Sequence, residues 1–361
     1  MKQNSQEYKN WKKRKDAKDL ERRTWRKAVI RAAITRENHR NRLLNEQGAQ
    51  FVQGSYHKGT RSTRFVAPSS FSFLKNYDET AFFFNEVLRF ITNKRNWGKT
   101  IFIDISKVSF LSIDALMYLL AIVNNLKKNF RSRCSIEGNA PQDPEIRRKF
   151  DESGFYQYVN RVKNEPIQRT LDNIQIVSGE KTDPALAKTI SQFNISKTGI
   201  QKRKGSFLYN TMIELMSNTH KHAYNKKGKL YPRWYCYAEY DQTQERLLYT
   251  FMDIGEGIPA TVRRNFSEKI DFLKLRAENK YVISALNGDF RTATEQKNRG
   301  KGLPKIREYC SMRLIENMQI ITNKANVRVR SEDYVGLDYS IPLLGTLYYW
   351  EIDASRLKRE I

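Results

Sequence analysis

The stretch SFLYNTMIELMSNTHKHAYN (residues 206–225) has the spacing of a helix with two unlike faces. Glu214, Asn218 and His222 recur at i, i+4 and i+8 and share one face. Leu208, Met212, Leu215 and Thr219 fall on another face, suited to packing on a sheet. A Glu and an Asn one turn apart in an otherwise apolar helix are costly to bury without partners. A bound Mg²⁺-nucleotide would supply such partners, since an amide oxygen is a hard ligand for Mg²⁺ and a carboxylate can activate water. A solvated polar stripe is the plain alternative, and the helix alone leaves it open.

Two later segments bear on that choice. In LLYTFMDIGEGIPATV (247–262), LLYTFM reads as a strand and the residues after it as a turn. Asp253 at the strand end can accept a hydrogen bond from an exocyclic amine. Gly255 and Gly257 let backbone come close to a planar ligand. Alone, an Asp-x-Gly-x-Gly pattern arises by chance in ~0.1 of chains this long. In EQKNRGKGLPKIREYC (295–310), Gly300 and Gly302 precede a helix that starts near Leu303, with Pro304 in its first turn. Free N–H groups at such a start favour an anion, and Lys297, Arg299 and Lys301 add charge suited to polyphosphate. A basic loop before a helix would look the same.

Order and spacing add what the single segments lack. Asp253 follows Asn218 by 35 residues, and Gly302 follows Asp253 by 49. A late Gly345-Thr346 precedes the strand-like LYYWEI. Over roughly 165–354 this series resembles the GHKL ATPase superfamily and its Bergerat ATP-binding fold. The resemblance implies ATP and Mg²⁺ as cofactors, with Asn218 as the Mg²⁺ ligand and Glu214 as the candidate general base. It makes Asp253 the adenine-reading carboxylate, supported through water by Thr346, with Gly255 and Gly257 beside the base. Gly300, Gly302 and Leu303 match the phosphate-binding end of the lid, 260–299 the lid itself, and His222 a polar position on the first helix.

Upstream, strand and helix signals alternate. DETAFFFNEVLRFITNK (78–94) reads as a helix with Asp78 as N-cap, TIFIDISKVSF (100–110) as a buried strand, and 112–130 as a strong helix. CSIE (134–137) and DPEIRRKFDESGF (143–155) give a further strand and helix, so a small α/β domain is expected over 60–160. IDISKVSFLSIDALMYLL, followed by ESGF, resembles a STAS domain. In that family a serine at the helix start accepts phosphate; here the turn reads Ser112-Ile113-Asp114-Ala115, and Asp114 at the acceptor position disfavours a phospho-switch. Residues 160–200 contain a strand (NIQIVS) and a helix (ALAKTISQF) and are assigned to the following domain, whose sheet needs an opening strand.

The fold class expected is therefore α/β (α+β): a Bergerat-type sandwich at 165–354, a STAS-like domain at 60–160 and a basic arm at 1–47. At 361 residues, 39% of them hydrophobic, the chain suits two packed domains. No apolar run reaches the ~18 residues of a membrane helix, and the N-terminus lacks the apolar segment of a secretory signal. Cys134, Cys236 and Cys310 are scattered, which argues against disulfides or a zinc knuckle and for a cytoplasmic, reduced setting.

The net charge is +26, and residues 1–47 hold 15 Lys/Arg against 6 Asp/Glu. Trp11–Leu44 has no Gly or Pro and can form one long helix. Nucleic acid, an acidic protein or a second copy of the chain in a homodimer are the partners this charge suits. The function expected is a nucleotide-gated switch with slow ATP hydrolysis. The alternatives are an anti-sigma-type serine/threonine kinase and a scaffold that binds ATP without hydrolysing it.

Overall fold

The computed structural model describes residues 51–53, 62–129, 134–161, 171–200, 205–223, 232–272, 275–290 and 302–359. The arm expected at 1–47 lies outside the described residues. The fold is mixed α/β, with one five-stranded sheet of mixed parallel and antiparallel pairing, one wholly antiparallel and a two-stranded parallel pair. Among the described residues no helix is long and apolar enough to cross a membrane.

The N-terminal unit comprises β1 (Phe51–Gln53), β2 (Thr63–Val66), β3 (Ser70–Phe71), α1 (Tyr77–Thr92), β4 (Thr100–Asp104), β5 (Phe110–Leu111), α2 (Ile113–Asn129), β6 (Ser135–Gly138), α3 (Pro144–Glu152) and β7 (Asn160–Arg161). Its main sheet runs β2-β4-β6-β1-β7, with β2, β4 and β6 parallel. Every residue of β4 is buried, as a central parallel strand requires. Pro68 separates β2 from β3, so the run FVAPSSFSF forms two short strands rather than one. Asp143 caps α3 by accepting from the N–H groups of Glu145 and Ile146. The expected cap Asp78 lies instead in the first turn of α1, where Asn76 holds the cap position. Asp114 is buried; it accepts from the Phe73 N–H at 2.9 Å and from the Ser112 hydroxyl, and so ties the start of α2 to β3. Burial pushes its carboxyl up to about 6.

The second unit begins with β8 (Asn173–Gly179), α4 (Pro184–Thr198), α5 (Ser206–His222), β9 (Trp234–Asp241) and β10 (Arg246–Asp253). Three short helices follow: α6 (Ile258–Asn265), α7 (Ser267–Phe272) and α8 (Glu278–Asn287). Then come α9 (Gly302–Ser311), the long hairpin β11 (Glu316–Val329) and β12 (Tyr334–Asp353), and α10 (Ala354–Arg359). The sheet order is β11-β12-β10-β9-β8, so β8, expected as an opening strand, stands at one edge. Alternation decides what each face meets. Trp234, Cys236, Leu247, Tyr249, Phe251 and Trp350 form one core with α4, α5 and α9. Tyr235, Tyr237, Met252, Ile254 and Leu347 belong to a second core with Phe73, Phe84, Leu116 and Leu120 of the N-terminal unit.

The two units therefore share a core. Polar contacts pin the seam along β12. Tyr77 stacks on Tyr339 and its hydroxyl donates to the Ile341 carbonyl at 2.7 Å. Asn85 donates to the Pro342 carbonyl. The Tyr118 hydroxyl donates to the Leu344 carbonyl and accepts from the Leu344 N–H, both at 3.2 Å. Tyr118→Phe would leave both Leu344 groups without that partner, which costs about 1–3 kcal/mol. Urea unfolding should show a stability lower by that amount, read as a lower midpoint at an unchanged slope.

Candidate functional site

A cavity of about 560 Å³ opens between α5, the β10 end, α6, α8 and the start of α9. The apolar face of α5 lies on the sheet, with Leu208, Met212, Leu215 and Thr219 all buried. That packing turns Glu214 and Asn218, both half-buried, into the cavity. Lys221 and Ser217 line it too. The helix stripe that faces the cavity is thus 214, 217, 218 and 221, the i, i+3, i+4, i+7 series. His222 ends α5, and its side chain lies outside what is described.

The far end of the cavity is built by the sheet. Asp253 closes β10 and pairs directly with Thr346 of β12. Both line the cavity and both are almost fully buried. A bulge sets this pairing: Thr322 faces Thr346, but its neighbour Asn323 faces Leu343, so Leu344 and Gly345 are extra residues on β12. Gly345 sits at φ +98°, and a Cβ there would overlap the Asp253 carbonyl oxygen. Only glycine lets β12 come this close at that dihedral.

Hydrogen bonding at this end is directional. The Asp253 carboxylate accepts from the Gly255 N–H at 2.7 Å and from the Thr219 hydroxyl at 3.4 Å. Burial pushes its carboxyl up to about 7, against those two bonds. Thr322 donates to the Gly345 carbonyl at 2.9 Å and accepts from the Ile258 N–H at 3.0 Å. A hydroxyl has one hydrogen, so the 3.1 Å contact between Thr322 and Thr346 uses the hydrogen of Thr346. Asp253 and Thr346 then offer the cavity acceptors side by side.

The two turn glycines behave differently. Gly257, at φ +84°, lines the cavity, and a Cβ there would stand 2.6 Å from Asn323 Oδ1 and 2.7 Å from Thr322 Oγ1. Gly255 does not line it; it packs on the Ala223 backbone at the end of α5, where the Glu256 N–H donates to the Ala223 carbonyl.

The other end of the cavity is formed by the start of α9. Gly302, Leu303 and Pro304 line it, and Gly302 packs directly on the carboxyl end of Glu214. Lys297, Arg299, Gly300 and Lys301 lie outside the described residues. Over the cavity, the expected lid is helical in large part. Val262, Ile270, Tyr281 and Phe290 make a small core of their own. No residue of α8 itself caps its start; Asp338 of β12 does so, accepting from the Glu278 N–H at 2.8 Å and the Asn279 N–H at 2.7 Å. Sequence reasoning missed Lys221, Thr322 and Asp338. Only Lys221 had a signal, its i+3 spacing from Asn218.

Among the described residues no group of three or more His, Cys, Asp or Glu side chains is placed to hold a metal. The three cysteines are free and buried. No protein-family model matches the chain, and no curated protein matches it. Gly345→Ala should combine a strained dihedral with the clash on Asp253 and cost about 2 kcal/mol or more. Thermal unfolding of the purified variant checks this, and a loss below half of that would mean the bulge relaxes freely.

Proposed function

We propose that the chain is an ATP- and Mg²⁺-binding protein of the GHKL type, with a Bergerat-type C-terminal unit and a STAS-like N-terminal unit, in which bound nucleotide sets the conformational state. One observation carries this reading: a single cavity joins the buried acceptor pair Asp253 and Thr346 to a helix start beside Glu214 and Asn218. The acceptor end suits an exocyclic amine on a flat base. The opposite end suits phosphate, because the N–H groups of Gly302 and Leu303 stand in the first turn of α9, where a helix supplies no partner of its own, and the helix dipole favours an anion.

Asn218 would hold Mg²⁺ together with the nucleotide's own phosphate oxygens. Such a site needs few protein carboxylates, so the donors present fit it. Mg²⁺ there would neutralise charge on the phosphates. Glu214 stands where it can take a proton from an attacking water. Lys221, on the same stripe, adds a positive charge to the cavity wall. The output would pass through β12, whose residues 339–344 the N-terminal unit holds and whose Thr346 meets the base.

Asp253→Asn should abolish ATP binding in isothermal titration, because its amide nitrogen presents a donor where the amine needs an acceptor. The same residue sets a pH dependence. The free carboxyl titrates near 7. An amine donor stabilises the carboxylate, so binding lowers its pKa and releases a proton. Affinity should therefore fall as pH drops below about 7, by up to about tenfold per unit. Unchanged affinity in a folded Asp253→Asn protein would overturn the assignment of this turn.

Glu214→Gln keeps the shape against Gly302 and should leave ATP binding within a few-fold. Hydrolysis should drop by about 100-fold or more. Release of γ-labelled phosphate measures it. Label on a protein partner would instead mark a kinase, and neither product a non-hydrolysing scaffold.

A further inference from the structure

The seam between the units is not closed along its whole length. A second cavity, of about 540 Å³, opens between the C-terminal half of α1 and residues 340–344 of β12. Phe82, Glu86 and Arg89 recur at i, i+4 and i+7 and present one face of α1 to it. Ile122 of α2 and Ile254, just past β10, line it from the interior and are 2% and 1% exposed. Leu344, whose backbone is held by the Tyr118 hydroxyl, lines it on the β12 side. Both units therefore contribute walls.

This cavity is nearly as large as the one that holds Asn218 and Asp253, but its chemistry differs. Eight of its thirteen lining residues are apolar. Among the described residues that line it, Glu86 and Arg89 are the charged ones, and they pair with each other at 2.8 Å. The Asn85 amide donates to the Pro342 carbonyl at 3.2 Å, and the Thr92 hydroxyl to the Leu88 carbonyl at 2.8 Å. Protein interiors are close-packed, and voids wider than a water molecule are few. Phe82 on its wall is 59% exposed, whereas its neighbours Phe83 and Phe84 are buried. Apolar walls and an exposed aromatic ring in contact with water carry a free-energy cost that an apolar occupant removes.

We propose that this cavity binds a small, neutral, largely apolar molecule. Its volume falls in the range of small-molecule sites, which favour the interfaces between domains. A charged ligand would give up its hydration to walls whose own charges are already paired. A second copy of the chain is the weaker match. The cavity is walled by α1 on one side and β12 on the other, and a net charge of +26 on each copy opposes their approach. An occupant would touch α1, α2, β12 and Ile254 together, and so would bridge the two units. Ile254 follows Asp253 directly and Leu344 stands two residues before Thr346, so the same occupant would border the acceptor pair.

The test titrates N-phenylnaphthylamine, a neutral dye that fluoresces in apolar surroundings, into the full chain without nucleotide, so it does not depend on the ATP reading. Saturable binding of one dye per chain is expected. Phe82→Ser removes an exposed apolar wall and should weaken that binding about fivefold or more. Leu88→Trp adds bulk where a half-buried side chain lines the cavity and should abolish it. Leu337→Ser removes an apolar side chain that is 44% exposed outside the cavity and should leave the affinity within about twofold of the parent. Thermal melting of the variants reports that they fold, and Phe82→Ser, at an exposed position, carries the test if Leu88→Trp does not. Absence of saturable binding, equal affinity in the parent and Phe82→Ser, or an equal loss in Leu337→Ser would each overturn the proposal. So would tighter binding of the anionic dye anilinonaphthalene sulfonate that Phe82→Ser abolishes, or a dimer in sedimentation that Phe82→Ser disperses.

Discussion

Side chains in the antiparallel sheet alternate between two cores, and that alternation fixes everything built on it. In β10, Leu247, Tyr249 and Phe251 face α4 and α5, while Met252, and Ile254 just past the strand, face the N-terminal unit. In β12, Tyr348, Trp350 and Ile352 face the first core and Leu347 the second. Asp253 and Thr346 share the parity of Phe251 and Tyr348, so both point toward the cavity. A slip of one residue would turn Tyr249 and Trp350 out of a core where each is fully buried. Burying such a side chain contributes about 1.5–3 kcal/mol, and a slip loses several at once. The register is thus held by the hydrophobic face, and the acceptor pair inherits its geometry from it.

Local signals were readable where one element carries the whole pattern. The faces of α5 follow from spacing alone, and Leu208, Met212, Leu215 and Thr219 are buried as that spacing requires. Of the expected 214–218–222 line, Glu214 and Asn218 line the cavity, and Ser217 and Lys221 join them, as packing of the opposite face on the sheet requires. The helix start at Gly302 and the strand ending at Asp253 also lie where their residues put them. Strands Trp234–Asp241 and Glu316–Val329 carry no motif and were not anticipated.

Long-range features were closed to the sequence for a physical reason. Thr322 acts through partners 64 and 24 residues away, Ile258 and Thr346, and nothing in its own neighbours marks it. Asp338 caps α8 from a strand about 60 residues further along the chain. The expected lid is a charged, irregular stretch in sequence; its helices become legible only once Val262, Ile270, Tyr281 and Phe290 find one another. The shared core is a similar case. A strand that alternates apolar residues on both faces needs two covers, but its sequence does not say that the second cover comes from residues before 160.

The seam between the units has a further property that follows from its chemistry. Tyr77, Asn85 and Tyr118 all bond to backbone atoms of Ile341, Pro342 and Leu344. The N-terminal unit therefore senses the path of β12 rather than the identity of its side chains. That path changes sharply at the next residue, Gly345, whose positive φ brings the strand onto Asp253. Further back along β12, Asp338 holds α8 and Tyr339 stacks on Tyr77. Packed cores deform little, so a shift of β12 at Thr346 or at Asp338 cannot be absorbed within the strand. It must either move the tyrosine contacts of the N-terminal unit or be resisted by them, and in both cases the two units respond as one body.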